Sequence, residues 1–179
     1  MQTEIVIAGF GGQGVLFGGQ LLAYAGMDAG KHVTWIPAYG PEMRGGTANC
    51  TTVISDEEIG SPFVHYPTAV IAMNRPSLDK YEEQVKPGGL LVLNSSLLDR
   101  TVTRQGLRVV EVDAGMIADR LGDIRMTNMV LMGALLANEE ILPLSVIENA
   151  LKEHLPQRHK RLLDKNFEAL QEGYKHKLN

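Results

Sequence analysis

The strongest chemical signal in the sequence is a glycine-rich segment, Gly9-Phe10-Gly11-Gly12-Gln13-Gly14. It matches the pattern G-x-G-x-x-G and lies where that pattern is informative, after a β-branched run and at the start of a helix-length stretch. Glycine tolerates positive φ angles and has no Cβ to hold a ligand away from the backbone. The N–H groups at the start of the helix then point at an anion, which the helix dipole also attracts. The segment, with Gly11 to Val15 at its centre, therefore predicts a phosphate-type binding loop in preference to a purely structural turn.

NAD fits this loop poorly. A dinucleotide-binding fold places an acidic residue about 20 residues after the glycines, at the end of the second strand, to bind the ribose hydroxyls. Here that strand end is Thr34-Trp35-Ile36-Pro37, and the nearest acids are Asp28 and Glu42. Gln13 also places a large polar side chain inside the turn. The sequence thus predicts phosphate binding without the ribose anchor of an NAD site.

A second polar loop, from Tyr39 to Gly46, follows the second predicted strand. In a parallel sheet it lies at the same carboxyl edge as the first loop, where open α/β folds bind ligands. Arg44 offers a planar fork suited to phosphate or carboxylate, and Gly45 and Gly46 leave room beside it. Alternatively, Arg44 pairs with Glu42 and the glycines only turn the chain. Two glycine-rich loops on one edge favour a ligand or partner surface.

The surrounding pattern alternates short apolar runs with helix-length stretches, which predicts one α/β domain over residues 1–179 with a helical C-terminal third. The predicted strands are Glu4–Ala8, His32–Ile36, Thr47–Ser55, Thr68–Met73, Leu90–Leu93 and Leu107–Val112. The predicted helices are Val15–Ala29, a short one opening at Arg75, one capped by Thr127 and running to Ala137, one from Pro143 to Pro156, and a last one on the stripe Leu163, Phe167, Leu170, Tyr174.

Composition excludes several functions. The net charge of −4 argues against broad attraction to nucleic acid. The single cysteine, Cys50, cannot supply the roughly four thiolates of an iron–sulfur cluster, and we interpret it as a small core residue. No apolar run approaches the ~18–20 residues of a membrane span, and the N-terminus lacks a basic leader, so we expect a cytoplasmic protein with no membrane partner.

No triad, HExxH or CxxC pattern is present, so no catalytic residue and no metal ligand is predicted. Asp113 is interpreted as a helix cap, and Asn128 as part of a helix N-terminus.

The loops, in this order, resemble the gamma subunit of the 2-oxoacid:ferredoxin oxidoreductases, the family that acts on pyruvate, 2-oxoglutarate and branched-chain ketoacids. The most specific element is Tyr39-Gly40-Pro41-Glu42-Met43-Arg44-Gly45-Gly46. The others are Gly9 to Val15, Ile54 to Pro62, Pro87-Gly88-Gly89, Asn128 with Met132-Gly133-Ala134, and Asn166 with Gly173. The resemblance covers essentially the whole chain.

This resemblance implies a three-layer α/β/α Rossmann-like domain with a mostly parallel central sheet. It also implies a complex that converts a 2-oxoacid and coenzyme A to acyl-CoA and CO₂, with two electrons passing to ferredoxin. Thiamine diphosphate and the [4Fe–4S] clusters would lie on the partner alpha, beta and ferredoxin-like delta subunits. Gly11 to Val15, with Gly12, Gln13 and Gly14, would approach the coenzyme A phosphates, beside Tyr39 and Arg44 to Gly46. The loops either contact coenzyme A directly or pack on the alpha subunit. The second loop favours the 2-oxoglutarate or ketoisovalerate branch.

Three functions stay open at this point. The chain is a non-catalytic gamma subunit, a self-sufficient nucleotide-binding oxidoreductase, or a purely structural assembly module. Under the first, we expect the isolated chain to be inactive and to self-associate, as a homodimer, through surface that the complex would bury.

Overall fold

The computed structural model describes residues 1–39 and 46–178, with a six-stranded sheet at the centre. The strands lie in the order β2-β3-β1-β4-β5-β6. Their bounds are β1 Gln2–Phe10, β2 His32–Tyr39, β3 Thr47–Ser55, β4 Ala69–Ala72, β5 Leu90–Asn94 and β6 Arg108–Val112. The α-helices are α1 Val15–Asp28, α2 Arg75–Tyr81, α3 Ala114–Arg120, α4 Thr127–Asn138, α5 Leu144–His154 and α6 Leu163–Tyr174.

The sheet is mostly parallel. Strands β1, β4, β5 and β6 pair in parallel, whereas β3 pairs antiparallel with both β1 and β2. Strand β2 therefore points the same way as β1 although β3 lies between them. The carboxyl ends of five strands consequently share one edge of the sheet, and this confirms the predicted fold class.

Alternating side chains of the sheet build two cores. Ile5 and Ile7 of β1 face one side, where α1, α3, α4, α5 and α6 pack, while Val6 and Ala8 face the other side, where α2 packs. Period-two alternation sends successive side chains to opposite faces, so each strand contributes to both cores. The result is the three-layer α/β/α arrangement that the resemblance implied.

The α2 side is completed by irregular chain between β5 and β6, which the buried carboxylate of Glu82 holds in place. Its Oε1 accepts hydrogen bonds from the N–H groups of Thr103 and Arg104 at 2.6 and 2.8 Å, and Arg100 lies 2.7 Å from Oε2. Burial alone would raise the pKa of Glu82, but these donors outweigh it and lower the pKa to about 2. Glu82 is therefore a charged structural anchor.

Most predicted boundaries lie within a few residues of the observed ones, but the start of α4 differs. The sequence predicts Thr127 as the cap of this helix, whereas Met126 occupies the cap position and Thr127 lies in the first turn. The Thr127 hydroxyl donates to the Ile124 carbonyl at 2.7 Å because a short 3₁₀ turn leads directly into the helix. Among the described residues, no helix has the length and apolarity needed to cross a membrane.

Helices α4 and α6 pack in close contact, and two glycines permit it. A Cβ at Gly133 would lie 2.1 Å from the Leu170 carbonyl oxygen, and one at Gly173 would lie 1.8 Å from the Val130 carbonyl oxygen. No side chain fits at such distances, because the obstacle in each case is backbone. The contact fixes α4, and therefore its N-terminus, against the rest of the layer.

We expect Gly173→Ala to lower the free energy of unfolding by about 2–3 kcal/mol, because the helices must separate to admit the methyl group. Gly60→Ala is the matched control, since a Cβ at Gly60 would have no atom within 4 Å and the backbone there is not left-handed; it should change stability by less than about 0.5 kcal/mol. Urea unfolding followed by circular dichroism measures both. Equal stability of the two variants would show that α4 and α6 are not closely packed.

Candidate functional site at the carboxyl edge

The glycine loop between β1 and α1 is held by its own hydrogen bonds. Gly12 and Gly14 adopt the left-handed region, with φ of 98° and 76°. The Gln13 side-chain oxygen accepts from the Phe10 N–H at 2.6 Å, and the Gln13 N–H donates to the Phe10 carbonyl at 3.2 Å. Gln13, predicted to be a ligand-binding residue, thus uses its side-chain oxygen to close the turn.

The loop leaves backbone donors open. Within the described residues, the N–H groups of Gly12, Gly14 and Val15 have no hydrogen-bond acceptor, and they lie at the N-terminus of the 14-residue helix α1. Gly12 is exposed, with no atom within 4 Å of where a Cβ would be. Val15 as a whole residue is only 3% exposed, whereas Gly12 is exposed and Gly14 is half-buried. Open N–H groups at a helix N-terminus favour an anion.

Two buried asparagines, Asn74 and Asn128, hydrogen-bond to the glycine loop. Asn74 follows β4 and donates to the Gln13 side-chain oxygen at 3.3 Å, while its own oxygen accepts from the Ser77 N–H at 3.0 Å. Asn128, in the first turn of α4, donates to the Gly14 carbonyl at 3.2 Å. A Cβ at Gly14 would lie 2.3 Å from the Asn128 nitrogen, so glycine is required there by contact as well as by φ. These side chains fix the loop to β4 and α4.

The end of the second loop lies beside the first. The Gly11 N–H donates to the Gly46 carbonyl at 2.9 Å, which places the last residue of the second loop beside the first loop. The backbone of Tyr39 ends β2 at the same edge, paired with Ala48. Arg44 and Gly45 lie outside the described residues, as does the side chain of Tyr39.

The edge is also the point where the chain changes direction across the sheet. From β1 the chain crosses by α1 to β2 on one side, and from β4 it crosses by α2, on the opposite face, to β5. Open α/β sheets bind ligands at such a switch point, in the space outside the carboxyl ends of the strands. Here that space lies between the glycine loop after β1 and Met73–Asn74 after β4.

A crevice of about 480 Å³ opens there, and we call it the edge crevice. Its walls come from the glycine loop, the ends of β4 and β5, helix α3 and the turn before α4. The lining residues are Gly12, Gln13, Met73, Asn94, Ser96, Leu97, Gly115, Met116, Asp119, Ile124, Arg125 and Thr127. Its volume lies in the range of small-molecule sites, roughly 300–1,000 Å³.

Hydrogen bonds fix the α3 wall of the edge crevice. The Asp113 carboxylate accepts from the Met116 N–H at 3.3 Å, which confirms Asp113 as a helix cap. The Ser96 hydroxyl bonds to Asp113 and accepts from the Gly115 N–H at 3.0 Å. The end of β5 is thereby joined to the start of α3.

At the rim, Arg125 is paired with Asp123. The guanidinium makes two bonds to the carboxylate, at 2.8 and 2.6 Å, and this pairing lowers the pKa of Asp123 to about 2. The Arg125 side chain is still 60% exposed. Its remaining donors can therefore meet an anion at the mouth of the edge crevice.

Neither the cysteine thiol nor a metal-binding cluster accompanies these features among the residues described. Cys50 is fully buried in β3, and burial raises the pKa of its thiol to about 11, which confirms it as a core residue. Within residues 1–39 and 46–178, no group of His, Cys, Asp or Glu side chains is placed to hold a metal ion.

Sequence reasoning did not find Asn74, Asn94 or the residues of α3 in this site. Their signal is weak, because an asparagine after an apolar strand is also typical of a turn or a helix cap. The interpretation of Asn128 as part of a helix N-terminus is correct, but its contact with Gly14 spans 114 positions of sequence. Asn128 comes into contact with the glycine loop only when the chain is folded.

Comparison with known proteins gives the family. A family model described as pyruvate ferredoxin/flavodoxin oxidoreductase matches residues 4–176. The chain belongs to this family. Its relatives include the 2-oxoglutarate synthase subunit KorC of Methanothermobacter thermautotrophicus, which is 33% identical over 97% of this chain and 94% of its own length. The ketoisovalerate oxidoreductase subunit VorA of Methanothermobacter marburgensis is 43% identical over 76% of this chain, which corresponds to only 28% of the relative.

Solved structures share the fold. The gamma subunit of a keto/oxoacid ferredoxin oxidoreductase from Geobacter sulfurreducens superposes with a TM-score of 0.83 at 26% identity, covering 97% of both chains. The 2-oxoglutarate:ferredoxin oxidoreductase of Magnetococcus marinus, solved with 2-oxoglutarate, coenzyme A and succinyl-CoA bound, gives a TM-score of 0.87 at 23% identity over 97% of this chain and 30% of that chain. This fold therefore occurs both as a separate chain and within a longer one.

We expect Asn128→Ala to speed hydrogen exchange at the amides of residues 11–18, because the Gly14 carbonyl loses a buried donor. The change should also cost about 1–2 kcal/mol of stability. Asn138→Ala is the control on the same helix, since Asn138 donates to the Ala134 and His176 carbonyls at 2.8 and 2.7 Å, far from the loop. Exchange followed by mass spectrometry should show faster loop exchange in the first variant only. If both variants behave alike, Asn128 does not hold the loop.

Proposed function

We propose that this chain is the gamma subunit of a 2-oxoacid:ferredoxin oxidoreductase, in which it binds the phosphates of coenzyme A and contributes to assembly. The complex would convert a 2-oxoacid and coenzyme A to acyl-CoA and CO₂, with two electrons leaving to ferredoxin. One observation carries the binding role. The glycine loop presents open N–H groups of Gly12, Gly14 and Val15 at a helix N-terminus, on the sheet edge where α/β folds bind ligands.

The comparisons support the substrate class. Relatives of similar length are named 2-oxoglutarate synthase subunits, and a longer relative is named a ketoisovalerate oxidoreductase subunit. The Magnetococcus enzyme, which shares the fold, was solved with coenzyme A bound. We therefore favour 2-oxoglutarate or ketoisovalerate as the 2-oxoacid.

The chain would supply binding and not the chemical step. Thiamine diphosphate and the [4Fe–4S] clusters would be carried by the alpha, beta and delta partners, because a single buried cysteine cannot ligate a cluster. The loop N–H groups and the fork of Arg44 would hold the coenzyme A phosphates, which are polyanionic. Coenzyme A would then bind where this subunit meets the catalytic subunits.

Exposed apolar side chains support the assembly role. Phe63 and Tyr66, in the loop between β3 and β4, are 76% and 67% exposed, and both are therefore available for contact with a partner. A partner subunit would cover such residues in the complex. In their absence, we propose that the isolated chain pairs with a second copy.

Gly12→Ala tests the loop directly. In the assembled complex it should raise the apparent Kd for coenzyme A at least about 10-fold, because the new methyl group lies where the phosphate approaches the backbone. Gly88→Ala is the matched control, since Gly88 has φ of 75° and equally open surroundings, far from the site. Both variants bear the same kind of backbone strain, about 1–2 kcal/mol. Coenzyme A titration of turnover, on complexes shown intact by size, should separate them; equal affinities would remove the loop from the binding site.

Arg44→Ala tests the second loop. Loss of one charge-assisted phosphate contact, about 1.5–3 kcal/mol, should weaken apparent coenzyme A affinity about 10- to 150-fold. The decarboxylation that precedes coenzyme A should be nearly unchanged, because its groups would lie on other subunits. Coenzyme A-dependent turnover is measured beside single-turnover decarboxylation on intact complex. Loss of the complex, or of both partial reactions together, would instead assign Arg44 to assembly.

A further inference from the structure

A second concave surface, between helices α1 and α5, is separate from the edge crevice. It has a volume of about 130 Å³ and is lined mainly by Phe17, Leu21 and Tyr24 of α1 and by Leu151 and Pro156 at the end of α5. We call it the α1–α5 cleft, and it shares no lining residue with the edge crevice. An engineered apolar cavity of roughly 150 Å³ holds a benzene molecule, so the cleft has room for one aromatic ring.

Contacts between the two helices fix one wall of the α1–α5 cleft. The Tyr24 ring stacks on the His154 ring, with the ring centroids 4.3 Å apart and the planes 9° from parallel. His154 Nε2 lies 2.8 Å from Asp28 Oδ2, and the Gln20 side chain donates to the Tyr24 hydroxyl at 3.3 Å. Because these side chains are already held in place, a ligand that enters the cleft orders few further groups, which lowers the entropic cost of binding.

Positive charge is concentrated directly after the cleft. Residues 152–165 contain five Lys and Arg against two acids, although the whole chain has a net charge of −4. The centre of this region is the 3₁₀ segment Gln157–Leu162, which we call the basic turn. The His159 N–H donates to the carbonyl of Pro156, which lines the cleft, at 2.7 Å. The basic turn therefore begins at the wall of the cleft.

Two arginines of the basic turn have no acidic partner among the residues described. Side chains three positions apart in a 3₁₀-helix lie on the same face, so Arg158 and Arg161 are neighbours, and both are exposed. Neither forms an ion pair within the described part of the chain, and Arg158 donates only to His159 Nε2, at 3.1 Å. A carboxylate accepts two parallel hydrogen bonds from a guanidinium, so a pair of carboxylates is the natural complement of this face.

We propose that the α1–α5 cleft and the basic turn together bind an acidic segment of a partner protein. One aromatic side chain of that segment fills the cleft, and carboxylates beside it pair with Arg158 and Arg161. Aromatic anchors in small pockets and arginines paired with acids are the contacts that contribute most to many protein interfaces. The site lies outside the surfaces assigned to coenzyme A, and it stands whether or not the chain binds coenzyme A.

A protein segment fits these features better than other anions. A small inorganic anion would pair with the arginines but leave the cleft empty. A nucleic acid would extend its phosphates beyond the basic turn, where the remainder of a chain with a net charge of −4 repels them. A short segment that carries both a ring and carboxylates matches the cleft and the arginines without placing charge elsewhere.

The first experiment varies the ligand and leaves the protein unchanged. The probe is an acetylated pentapeptide with 4-fluorophenylalanine at its centre and glutamate at the other positions, and its ¹⁹F signal is followed as the full chain is added. Replacing the glutamates by glutamines should weaken binding at least about 10-fold, because the charge-assisted hydrogen bonds are lost. A peptide with alanine at the centre should compete at least about 10-fold more weakly than the unfluorinated phenylalanine peptide, because the cleft stays empty.

The second experiment varies the protein, with circular dichroism to confirm the fold. Arg158→Glu with Arg161→Glu should weaken binding of the acidic peptide at least about 10-fold. Lys80→Glu with Lys86→Glu is the matched control, since it changes the net charge equally at two exposed residues of the α2 side. It should leave the affinity within about 2-fold of the unchanged chain, because exposed charges distant from the ligand are screened by salt.

A further pair of variants tests the cleft. Gln20→Trp places an indole in the cleft and should weaken binding of the phenylalanine peptide at least about 10-fold. Gln171→Trp is its control, because Gln171 also lies on a helix and makes one side-chain hydrogen bond, to Glu148 at 3.1 Å, but does not line the cleft. This control should bind the peptide as the unchanged chain does.

Four results would overturn the proposal. The first is failure of the acidic phenylalanine peptide to bind with a Kd below about 1 mM. The second is an equal loss of affinity in the arginine and lysine double variants, which would show attraction by net charge alone. The third is full binding by Gln20→Trp, or equal competition by the alanine peptide, which would show that no ring enters the cleft. The fourth is a dimer in sedimentation that the arginine variant dissociates, which would make a second copy of this chain the occupant.

Discussion

The site depends on one constraint, the need to hold a glycine loop open while its backbone groups stay satisfied. Two residues of the loop adopt left-handed backbone, and several N–H groups point outward without acceptors among the described residues. Such a loop would collapse onto its own carbonyls if the remaining polar groups were not already engaged. Gln13, Asn74 and Asn128 engage them, with hydrogen bonds of 2.6 to 3.3 Å. The backbone N–H groups that remain without acceptors are those at the start of α1, where they can donate to an anion.

The position of β3 explains why a second loop reaches this site. Because β3 runs antiparallel between β1 and β2, it begins at the edge where β1 and β2 end. The chain entering β3 therefore passes beside the glycine loop, and the Gly46 carbonyl accepts from the Gly11 N–H. A wholly parallel sheet would begin β3 at the opposite edge. The departure from the parallel pattern is thus what joins the two loops.

The residue types at the carboxyl edge determine which contacts a ligand can make there. The site contains backbone donors, asparagines, aliphatic side chains, the Ser96 and Thr127 hydroxyls, the Asp119 carboxylate and one paired arginine, while the chain's cysteine is buried in the core with a raised pKa. Polar groups of these kinds fix the orientation of a ligand in a pocket. Under the proposed function, these contacts would hold coenzyme A while partner subunits supply the reacting groups. Helices α4 and α6 pack in close contact on one face of the sheet, because Gly133 and Gly173 present no side chain between them.

The local order of apolar runs and glycine-rich segments is enough to predict the fold class and the loops. Alternating apolar runs predict strand and helix segments close to those observed, and Gly9 to Gly14 between a strand and a helix predict the loop, because turn geometry depends on nearby residues. The sequence also limits the chemistry, since one cysteine excludes an intrinsic cluster. The antiparallel direction of β3 is not predicted, because an apolar strand carries no mark of its direction.

The composition of the site was decided by the tertiary structure. Asn94, Met116, Asp119 and Ile124 are ordinary residues in their local segments, and nothing in their spacing relates them to the glycine loop. They meet because β5, α3 and the turn before α4 all reach the carboxyl edge of the sheet. Likewise, Asn128 contacts Gly14 across 114 positions because α4 packs beside α1 with its N-terminus at that edge. Contacts of this range depend on how the layers pack, and sequence periodicity, which describes one element at a time, does not contain them.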